Sequence, residues 1–213
     1  GVFPRGSGTA TSDQPVGHPD YRYAHASLLD NPNRGQCFLN TVQRIHQSDV
    51  QICRFNTKKT GKTTVGNHCL LMAYVHVAHD CLIGNHSILA NAVQLGGHVK
   101  IGNYVTIGGM TPVHQFCKVG DYSFTGGGYR IVQDVPPYIL AMNEPLQYSG
   151  LNVIGLRRQK FSAESRKNLK QAYQLIYHST LNRNQAIKQI KAELNSTLEI
   201  NNILDFIGFI KIM

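Results

Sequence analysis

The sequence predicts a mainly β protein, a parallel β-helix followed by a small α-helical domain. Three observations lead to this prediction. A six-residue repeat begins at Val65 and keeps its phase through twelve consecutive units. After residue 160 the apolar residues change to helical spacing. The 213 residues of the chain are enough for one such domain with an appendage.

The first position of the six-residue unit predicts the core. It is aliphatic in eleven of twelve units, and Thr125 is the exception. The twelve residues are Val65, Leu71, Val77, Ile83, Leu89, Leu95, Ile101, Ile107, Val113, Val119, Thr125 and Ile131. Because such a side chain stacks on its equivalents in neighbouring coils, the pattern predicts one continuous buried column.

The second and fifth positions are small, which suits the corners of a coil. Gly or Ala occupies the second position in nine of twelve units, and Cys, Ser, Thr or Val occupies the fifth in eleven. Small residues let the backbone bend and fill the space beside the aliphatic column. Three units close one triangular coil, so twelve units predict four coils. The run Asp134-Val135-Pro136-Pro137 ends the pattern, since proline cannot donate to a sheet ladder.

The cysteines indicate a reducing environment. Cys69, Cys81 and Cys117 all occupy the fifth position, where we expect small buried side chains rather than catalytic thiols. Five cysteines with no CxxC pair argue against a disulfide framework or a zinc ribbon. We therefore expect a cytoplasmic protein.

The chain divides into four predicted segments. Residues 1–64 contain only 19 apolar residues and no hexad, so we expect an irregular segment or a non-native beginning. Residues 65–137 form the predicted β-helix, and residues 138–160 connect it to the C-terminal helical domain at 161–213.

The helical domain is predicted from caps and apolar faces. Ser162 is a candidate cap, with Glu164 in the first turn of its helix. Asn184 opens a second candidate helix. The apolar faces of the three predicted helices are Leu169, Ala172, Tyr173 and Ile176; Ile187, Ile190 and Leu194; and Ile200, Ile203, Leu204 and Ile207.

The net charge of +9 is concentrated at the ends of the chain. It is +4 over residues 1–64, −1 over 65–149 and +6 over 150–213. A basic surface attracts acidic partners, but we expect no nucleic acid, because no known motif or interleaved aromatic residues accompany the charge. No apolar stretch is long enough for a membrane helix and no signal-peptide pattern is present, so we expect no stable membrane insertion.

Six of the ten histidines lie within or beside the repeat. His68 and His86 occupy the fourth, outward position and are expected to be plain surface. His79 precedes Asp80, and His98 follows one coil plus one residue later, so we expect it near the same corner. From spacing alone, three interpretations stay open: a general base, a metal site completed across a subunit boundary, and an exposed polar face.

Several longer runs exceed what a generic hexapeptide repeat requires. They include His76-Val77-Ala78-His79-Asp80-Cys81, Gly108-Gly109-Met110-Thr111-Pro112-Val113-His114-Gln115-Phe116 and Gly150-Leu151-Asn152-Val153-Ile154-Gly155-Leu156-Arg157-Arg158. In these runs the chain resembles the bacterial UDP-N-acetylglucosamine O-acyltransferases, over roughly residues 57–180. The resemblance implies a left-handed β-helix that assembles as a homotrimer with active sites between subunits.

The resemblance also implies the reaction and its residues. The family moves an (R)-3-hydroxyacyl chain from acyl carrier protein to the 3-hydroxyl of UDP-N-acetylglucosamine, the first step of lipid A biosynthesis, and we expect no metal and no cofactor. His79 matches the general base, Asp80 its support and the Gly97 N–H the oxyanion donor. Residues that match the substrate-binding positions are Met72, His76, His98, His114, Gln115, Gly127, Asn152 and Arg158.

Within that set, individual positions carry specific roles by resemblance. Asn152 and Arg158 match contacts to the nucleotide and its phosphates. Gly127 matches the position that limits acyl length, and its lack of a side chain leaves the groove open to a long chain. Gln159 stands where many members carry a second arginine.

Three alternatives to this activity remain at the level of sequence. One is another hexapeptide-repeat transferase that uses acetyl-CoA and a sugar nucleotide. Another is a zinc-dependent β-helix hydratase. The last is a trimeric scaffold that has lost catalysis because it lacks the family's early coils.

Overall fold

The computed structural model describes residues 37–39, 44–45, 50–52 and 62–208. Sixteen strands and four helices lie in these ranges. The strands are β1 Cys37–Leu39, β2 Arg44–Ile45, β3 Gln51–Ile52, β4 Thr63–Val65, β5 Leu70–Leu71, β6 His76–Val77, β7 Leu82–Ile83, β8 Ile88–Leu89, β9 Gln94–Leu95, β10 Lys100–Ile101, β11 Thr106–Ile107, β12 Pro112–Val113, β13 Lys118–Val119, β14 Phe124–Thr125, β15 Ile139–Met142 and β16 Gln147–Leu151. The helices are α1 Val153–Arg158, α2 Ala163–Tyr177, α3 Arg183–Glu193 and α4 Leu198–Gly208.

Three sheets, parallel except for the β15–β16 pair, form a left-handed β-helix, as the repeat and the resemblance predicted. Their strand orders are β1-β4-β7-β10-β13, β16-β15-β14-β11-β8-β5-β2 and β12-β9-β6-β3. In the regular coils each strand pairs with the third strand after it, for example Thr64 of β4 with Leu82 of β7. One six-residue unit therefore contributes one strand and one corner to each triangular coil.

The predicted column of first-position residues forms the core of the β-helix. Val65, Leu71, Val77 and Leu89 are fully buried, and Thr125 is buried as well. Burial of such aliphatic side chains contributes roughly 1.5–3 kcal/mol each. The column thus supplies the main hydrophobic stabilisation of the coils.

The fifth-position side chains join adjacent coils through the backbone. The Cys69 thiol donates to the Gly84 carbonyl at 2.9 Å, and the Ser87 hydroxyl donates to the Gly102 carbonyl at 2.9 Å. Cys69, Cys81 and Cys117 are buried and unbridged, as expected for small core side chains. Burial raises the pKa of Cys81 and of Cys117 to about 11, so these thiols stay protonated near neutral pH.

Part of the segment that the sequence analysis expected to be irregular pairs with the β-helix. Strand β1 pairs with β4, β2 with β5 and β3 with β6. Cys37 pairs with Thr63, a sequence separation of 26 (63 − 37), whereas Thr64 and Leu82 in the regular coils are separated by 18 (82 − 64). The longer spacing explains why no hexad was recognised. Apart from Val50, the rest of 1–61 lies outside the described residues.

The segment at 138–160 is an ordered connection. Strand β15 continues the second sheet by pairing with β14, and β16 folds back against it in antiparallel fashion. Helix α1 follows directly, with Asn152 as its N-cap.

The C-terminal helices follow the predicted apolar faces. Ser162 caps α2, whose buried residues are Leu169, Ala172 and Tyr173. The second predicted start, Asn184, is two residues late. Asn182 caps α3 and forms a reciprocal capping box with Gln185 that fixes the true start.

Two hydrogen bonds join the helices to the end of the β-helix. The Tyr173 hydroxyl of α2 donates to the Pro137 carbonyl at 2.6 Å. The Asn202 amide of α4 donates to the Tyr138 hydroxyl at 3.0 Å. Among the described helices, none combines the length and the apolar character that a membrane span requires.

Candidate active site

Three columns of corners run along the β-helix, and each gathers a different set of side chains. Corner A contains turn residues 67–68, 85–86, 103–104 and 121–122; corner B contains 73–74, 91–92, 109–110 and 127–128; corner C contains 79–80, 97–98 and 115–116. The second turn residue has left-handed φ throughout, including Asp80 (58°), His98 (62°) and Phe116 (67°) at corner C.

The central feature of corner C is a histidine–carboxylate pair. The Nδ1 atom of His79 lies 3.0 Å from an Asp80 carboxylate oxygen. The Asp80 side chain is 1% exposed and that of His79 is 31% exposed. A buried carboxylate on Nδ1 holds the imidazole in the tautomer that has its proton-accepting lone pair on Nε2. The pair therefore has the arrangement of an oriented general base.

A second imidazole, that of His98, packs against this pair. His98 lies one coil further along, and its ring meets that of His79 edge to face at 5.1 Å between centroids. Its Nε2 atom is 4.0 Å from the same Asp80 oxygen. The Phe116 ring stacks on His98 at 4.8 Å and nearly parallel. The expectation that His98 returns to the corner of His79 is confirmed.

Gly97 packs directly against the Nε2 edge of the His79 ring. A Cβ atom on Gly97 would lie 2.7 Å from His79 Cε1 and 2.8 Å from Nε2. Only glycine leaves room for the imidazole at this distance. The Gly97 backbone therefore lies beside the nitrogen that would take a proton.

The Gly97 N–H is distinguished from its equivalents at corner A. There the N–H groups of Asn67, Asn85 and Asn103 each donate to an Asn or Asp side chain in the next coil, at 2.7 to 2.8 Å. Within the part of the chain that the structure describes, the Gly97 N–H donates to no acceptor. The N–H groups of Asn91 and Gln115, the equivalent turn residues at corners B and C, likewise have no acceptor among the described residues, so Gly97 differs from them by its position beside His79.

The structure brings four further predicted residues to the same column. His98 and Gln115 lie in its turns, His114 directly precedes its last turn, and His76 lies in β6, the strand that leads into the first turn. The His114 Nδ1 atom is 3.1 Å from the Gln115 carbonyl, and both residues are exposed. Gln115 stacks above Gly96, whose Cβ position lies 2.8 Å from the Gln115 nitrogen.

Two of the predicted residues lie at corner B instead. Met72 directly precedes its first turn, and Gly127 lies in its last one. A Cβ atom on Gly127 would lie 3.0 Å from the Gly109 carbonyl oxygen of the neighbouring coil. Six extended residues span about 20 Å, so these two positions are about one triangle edge from corner C of the same chain.

The remaining two, Asn152 and Arg158, lie at corner A. The Asn152 carboxamide accepts from the Gly155 N–H at 3.0 Å and donates to the Tyr122 carbonyl at 2.9 Å, which fixes the start of α1 against the β-helix. Both residues line a groove of about 680 Å³ between α1 and the corner, together with Tyr104 and Tyr122.

One feature that sequence reasoning missed is a ladder of stacked rings along corner A. It consists of His68, His86, Tyr104, Tyr122 and Tyr138, with centroids 4.6 to 5.6 Å apart. His68 and His86 are exposed as expected, but they are also part of this ladder. The signal was present, because the first four of these rings recur once in every coil.

Comparison with known proteins identifies the family to which the chain belongs. Residues 134–210 match the family model described as UDP-N-acetylglucosamine O-acyltransferase, domain 2, and residues 62–97 match the bacterial transferase hexapeptide repeat. The chain is 42% identical over 194 residues to the acyl-(acyl-carrier-protein)–UDP-N-acetylglucosamine O-acyltransferase of Syntrophobacter fumaroxidans, covering 91% of this chain and 73% of that protein. The chain belongs to the UDP-N-acetylglucosamine O-acyltransferase family.

Other members of the O-acyltransferase family match a smaller share of their own length. The protein of the same name from Chlorobaculum tepidum is 56% identical over 70% of this chain and 57% of its own. The structure of LpxA from Acinetobacter baumannii superposes with a TM-score of 0.73 at 38% identity, covering 78% of this chain and 67% of that one. The structure of LpxA from Bacteroides fragilis superposes with a TM-score of 0.71 at 46% identity, covering 73% of this chain and 61% of that one.

Proposed function

We propose that this chain transfers an (R)-3-hydroxyacyl group from acyl carrier protein to the 3-hydroxyl of UDP-N-acetylglucosamine, the first step of lipid A biosynthesis. The relatives are named for acyl transfer from acyl carrier protein to this sugar nucleotide. The observation that carries the proposal is the His79–Asp80 pair facing the Gly97 backbone.

His79 acts as the general base in this proposal. Its Nε2 atom takes the proton from the sugar hydroxyl while the oxygen attacks the thioester carbonyl. Asp80 accepts a hydrogen bond from Nδ1 and stabilises the imidazolium that forms. The proton then passes to the leaving thiolate of the carrier protein, and the ester remains on the sugar. A positioned base of this kind contributes roughly 10²–10⁴-fold to the rate.

The Gly97 N–H stabilises the tetrahedral intermediate. The attack places negative charge on the former carbonyl oxygen, and a fixed N–H that is not already bonded lowers the energy of that charge without reorganisation. His76, His98, His114 and Gln115 line the same column and would contact the sugar and its pyrophosphate. Polar contacts of this kind orient the 3-hydroxyl toward His79.

The groove at corner A is the proposed nucleotide site. Arg158 supplies a cation for phosphate and Asn152 offers its carboxamide to the nucleotide. At corner B, Met72 contacts the substrate and Gly127 leaves the acyl groove open to a long chain. The proposal requires no metal and no cofactor.

We infer a homotrimer from the separation of these sites. The base, the acyl-length position and the nucleotide groove lie at three different corners of one chain, about 20 Å apart. Because these sites lie at separate corners, neighbouring copies that pack side by side would bring corners of different chains into one cleft. Exposed apolar side chains at corners B and C support such contacts, and they include Tyr74, Met110 and Phe116.

The acidic carrier protein is proposed to dock on the basic C-terminal third. Residues 150–213 contain ten Lys and Arg residues but only four Asp and Glu residues. Among the basic residues, Lys160, Lys167 and Lys170 are exposed. Such a charge excess raises the rate of encounter with an acidic partner. The buried free thiols suit a cytoplasmic location, where the carrier protein would be met.

Donor competition tests the proposed reaction against an acetyl-CoA-dependent one. The protein is incubated with UDP-N-acetylglucosamine, acetyl-CoA and carrier proteins that bear (R)-3-hydroxyacyl chains of several lengths. The masses of the sugar-nucleotide products are then determined by mass spectrometry. We expect hydroxyacyl products only, whose mass reports the preferred chain length. An acetylated product, with none from the carrier protein, would reassign the donor.

A further inference from the structure

The ligand atoms at corner C form a compact group with the chemistry of a transition-metal site. His79 Nδ1, an Asp80 carboxylate oxygen and His98 Nε2 all lie within 4.8 Å of one another. Two of these separations are 3.0 Å, from His79 to Asp80, and 4.0 Å, from Asp80 to His98. The two histidines belong to adjacent coils, so one strand register brings all three atoms together.

We propose that these three residues form an inhibitory binding site for a divalent transition metal such as Zn²⁺. Two imidazoles and one carboxylate are a common protein donor set for this ion. Tetrahedral bonds of about 2.0–2.1 Å place ligand atoms roughly 3.3 Å apart. The 3.0 Å separation is already close to this distance, and a shift of the His98 ring by about 0.7 Å would close the 4.0 Å separation. The His79 and His98 side chains are 31% and 23% exposed, so an ion can reach the cluster from solvent.

The three ligands are held in place without the ion, which favours binding. The carboxylate of Asp80 is buried on the rigid left-handed turn of its coil. The His98 ring is held by the stacked Phe116 ring on one side and the edge of His79 on the other. Little side-chain freedom is lost when an ion arrives, so most of the bond energy appears as affinity.

Metal binding would inhibit the general base His79 by forcing its imidazole into the other tautomer. The ion takes the Nδ1 lone pair of His79, and the single proton of the neutral imidazole must then reside on Nε2. A protonated Nε2 cannot accept the proton of a sugar hydroxyl, so turnover stops while the ion is bound. This consequence rests on the proposed function of His79, whereas the binding itself does not.

Equilibrium dialysis of the chelator-treated protein against Zn²⁺, without substrates, tests the site. We expect Asp80→Asn and His98→Gln each to bind one ion fewer per chain than the unmodified protein, or to bind it at least tenfold more weakly. His178→Gln is the matched control, because His178 is exposed at the end of α2, away from the cluster. Circular dichroism verifies that each variant is folded. Equal binding by the two cluster variants and the unmodified protein would overturn the site.

Two further readouts separate binding from its effect. Co²⁺ in place of Zn²⁺ should give visible absorption typical of four or five nitrogen and oxygen ligands, lost in His98→Gln. Micromolar Zn²⁺ should lower acyl transfer at least tenfold, with full recovery on adding chelator. Stoichiometric Zn²⁺ binding with undiminished turnover would refute inhibition through the His79 tautomer, but the metal site itself would stand. Because dialysis needs no turnover, binding can be measured even if the protein has no transferase activity.

Discussion

Asp80 combines a structural role in the repeat with a role in the candidate active site. It occupies the left-handed position of its corner, which aspartate tolerates better than most residues, so the repeat loses little by having it there. The same turn places its carboxylate on Nδ1 of the preceding His79 and within 4.0 Å of His98. Together with His79, an aspartate at this point of the hexad thus turns a structural corner into an oriented histidine–carboxylate pair.

Gly97→Ala should impair turnover without unfolding the protein. Its new Cβ would lie 2.7–2.8 Å from two atoms of the His79 ring, so the imidazole must shift. We expect a fall in kcat of roughly 10²-fold, because a displacement of this size costs about that much in positioned catalysis. Steady-state kinetics measure it. Gly208→Ala is the control, since no atom of the described residues lies within 4 Å of its Cβ position. An unchanged kcat in Gly97→Ala would show that the contact is unimportant.

The buried cysteines should resist alkylation in the folded protein. Burial raises the pKa of Cys81 and Cys117 to about 11, so the reactive thiolate is scarce at mildly alkaline pH. We expect peptide mapping after iodoacetamide treatment to find both thiols unmodified in native samples and modified in denatured ones. Rapid modification of either in native protein would contradict the packing of the fifth position.

Alkaline pH should lower the free energy of unfolding through the same thiols. Their pKa is higher in the folded state than the ordinary value of 9.0, so their stabilising contribution is complete below pH 9 and falls as the pH rises toward 11. Urea unfolding at several pH values measures this. Replacing Cys81 with Ala should flatten the profile, and an unchanged slope would exclude this thiol as a cause.

At the scale of elements, two helix caps allow stability and binding to be separated. Ser162→Ala removes the cap of α2, away from the groove, and Asn152→Ala removes the cap of α1 that also lines it. Each change should cost about 1 kcal/mol of unfolding free energy. Only Asn152→Ala should also raise KM for UDP-N-acetylglucosamine, by about tenfold if one hydrogen bond of roughly 1.4 kcal/mol is lost. Equal KM values for the two variants would remove Asn152 from the nucleotide site.

Elements with strict periods were predictable from the sequence, whereas those with altered spacing were not. The hexads predicted the coils and the core column, and the apolar face of α2 was recognised with its cap at Ser162. The pairing of β1–β3 was missed because the separation of Cys37 and Thr63 exceeds that of a regular coil by eight (26 − 18). A period search depends on constant spacing, but strand pairing tolerates an insertion between strands.

Contacts between coils were predictable only in part. The return of His98 to the corner of His79 follows from three hexads per coil and is confirmed. The stacking of Phe116 on His98 and the ladder along corner A were not inferred. Both depend on ring orientation at the left-handed position, which the spacing of residues does not specify.

At the scale of the whole molecule, the proposed function requires corners of different copies to complete one site. Light scattering should therefore give a mass of three chains of 23.7 kDa each. A monomer that is fully active would contradict this arrangement.

Mixed trimers test whether the site is shared. His79→Ala and Asn152→Ala each damage one part of the site, at corners C and A. Suppose that each site takes corner C from one copy and corner A from another. When an equal mixture of the two variants is unfolded and refolded, about a quarter of the sites should then receive an intact His79 and an intact Asn152. Activity that never exceeds that of the two separate variants would place both parts in the same chain.

The most direct measurement of the proposed reaction compares the product of the unmodified protein with that of His79→Ala. Both are incubated with UDP-N-acetylglucosamine and (R)-3-hydroxyacyl carrier protein, and the product is identified by mass spectrometry. We expect a 3-O-acylated sugar nucleotide whose rate of formation falls by roughly 10²–10⁴-fold in the variant, while its oligomeric mass is unchanged. Undiminished formation of that product by folded His79→Ala would contradict the role of His79 as the base.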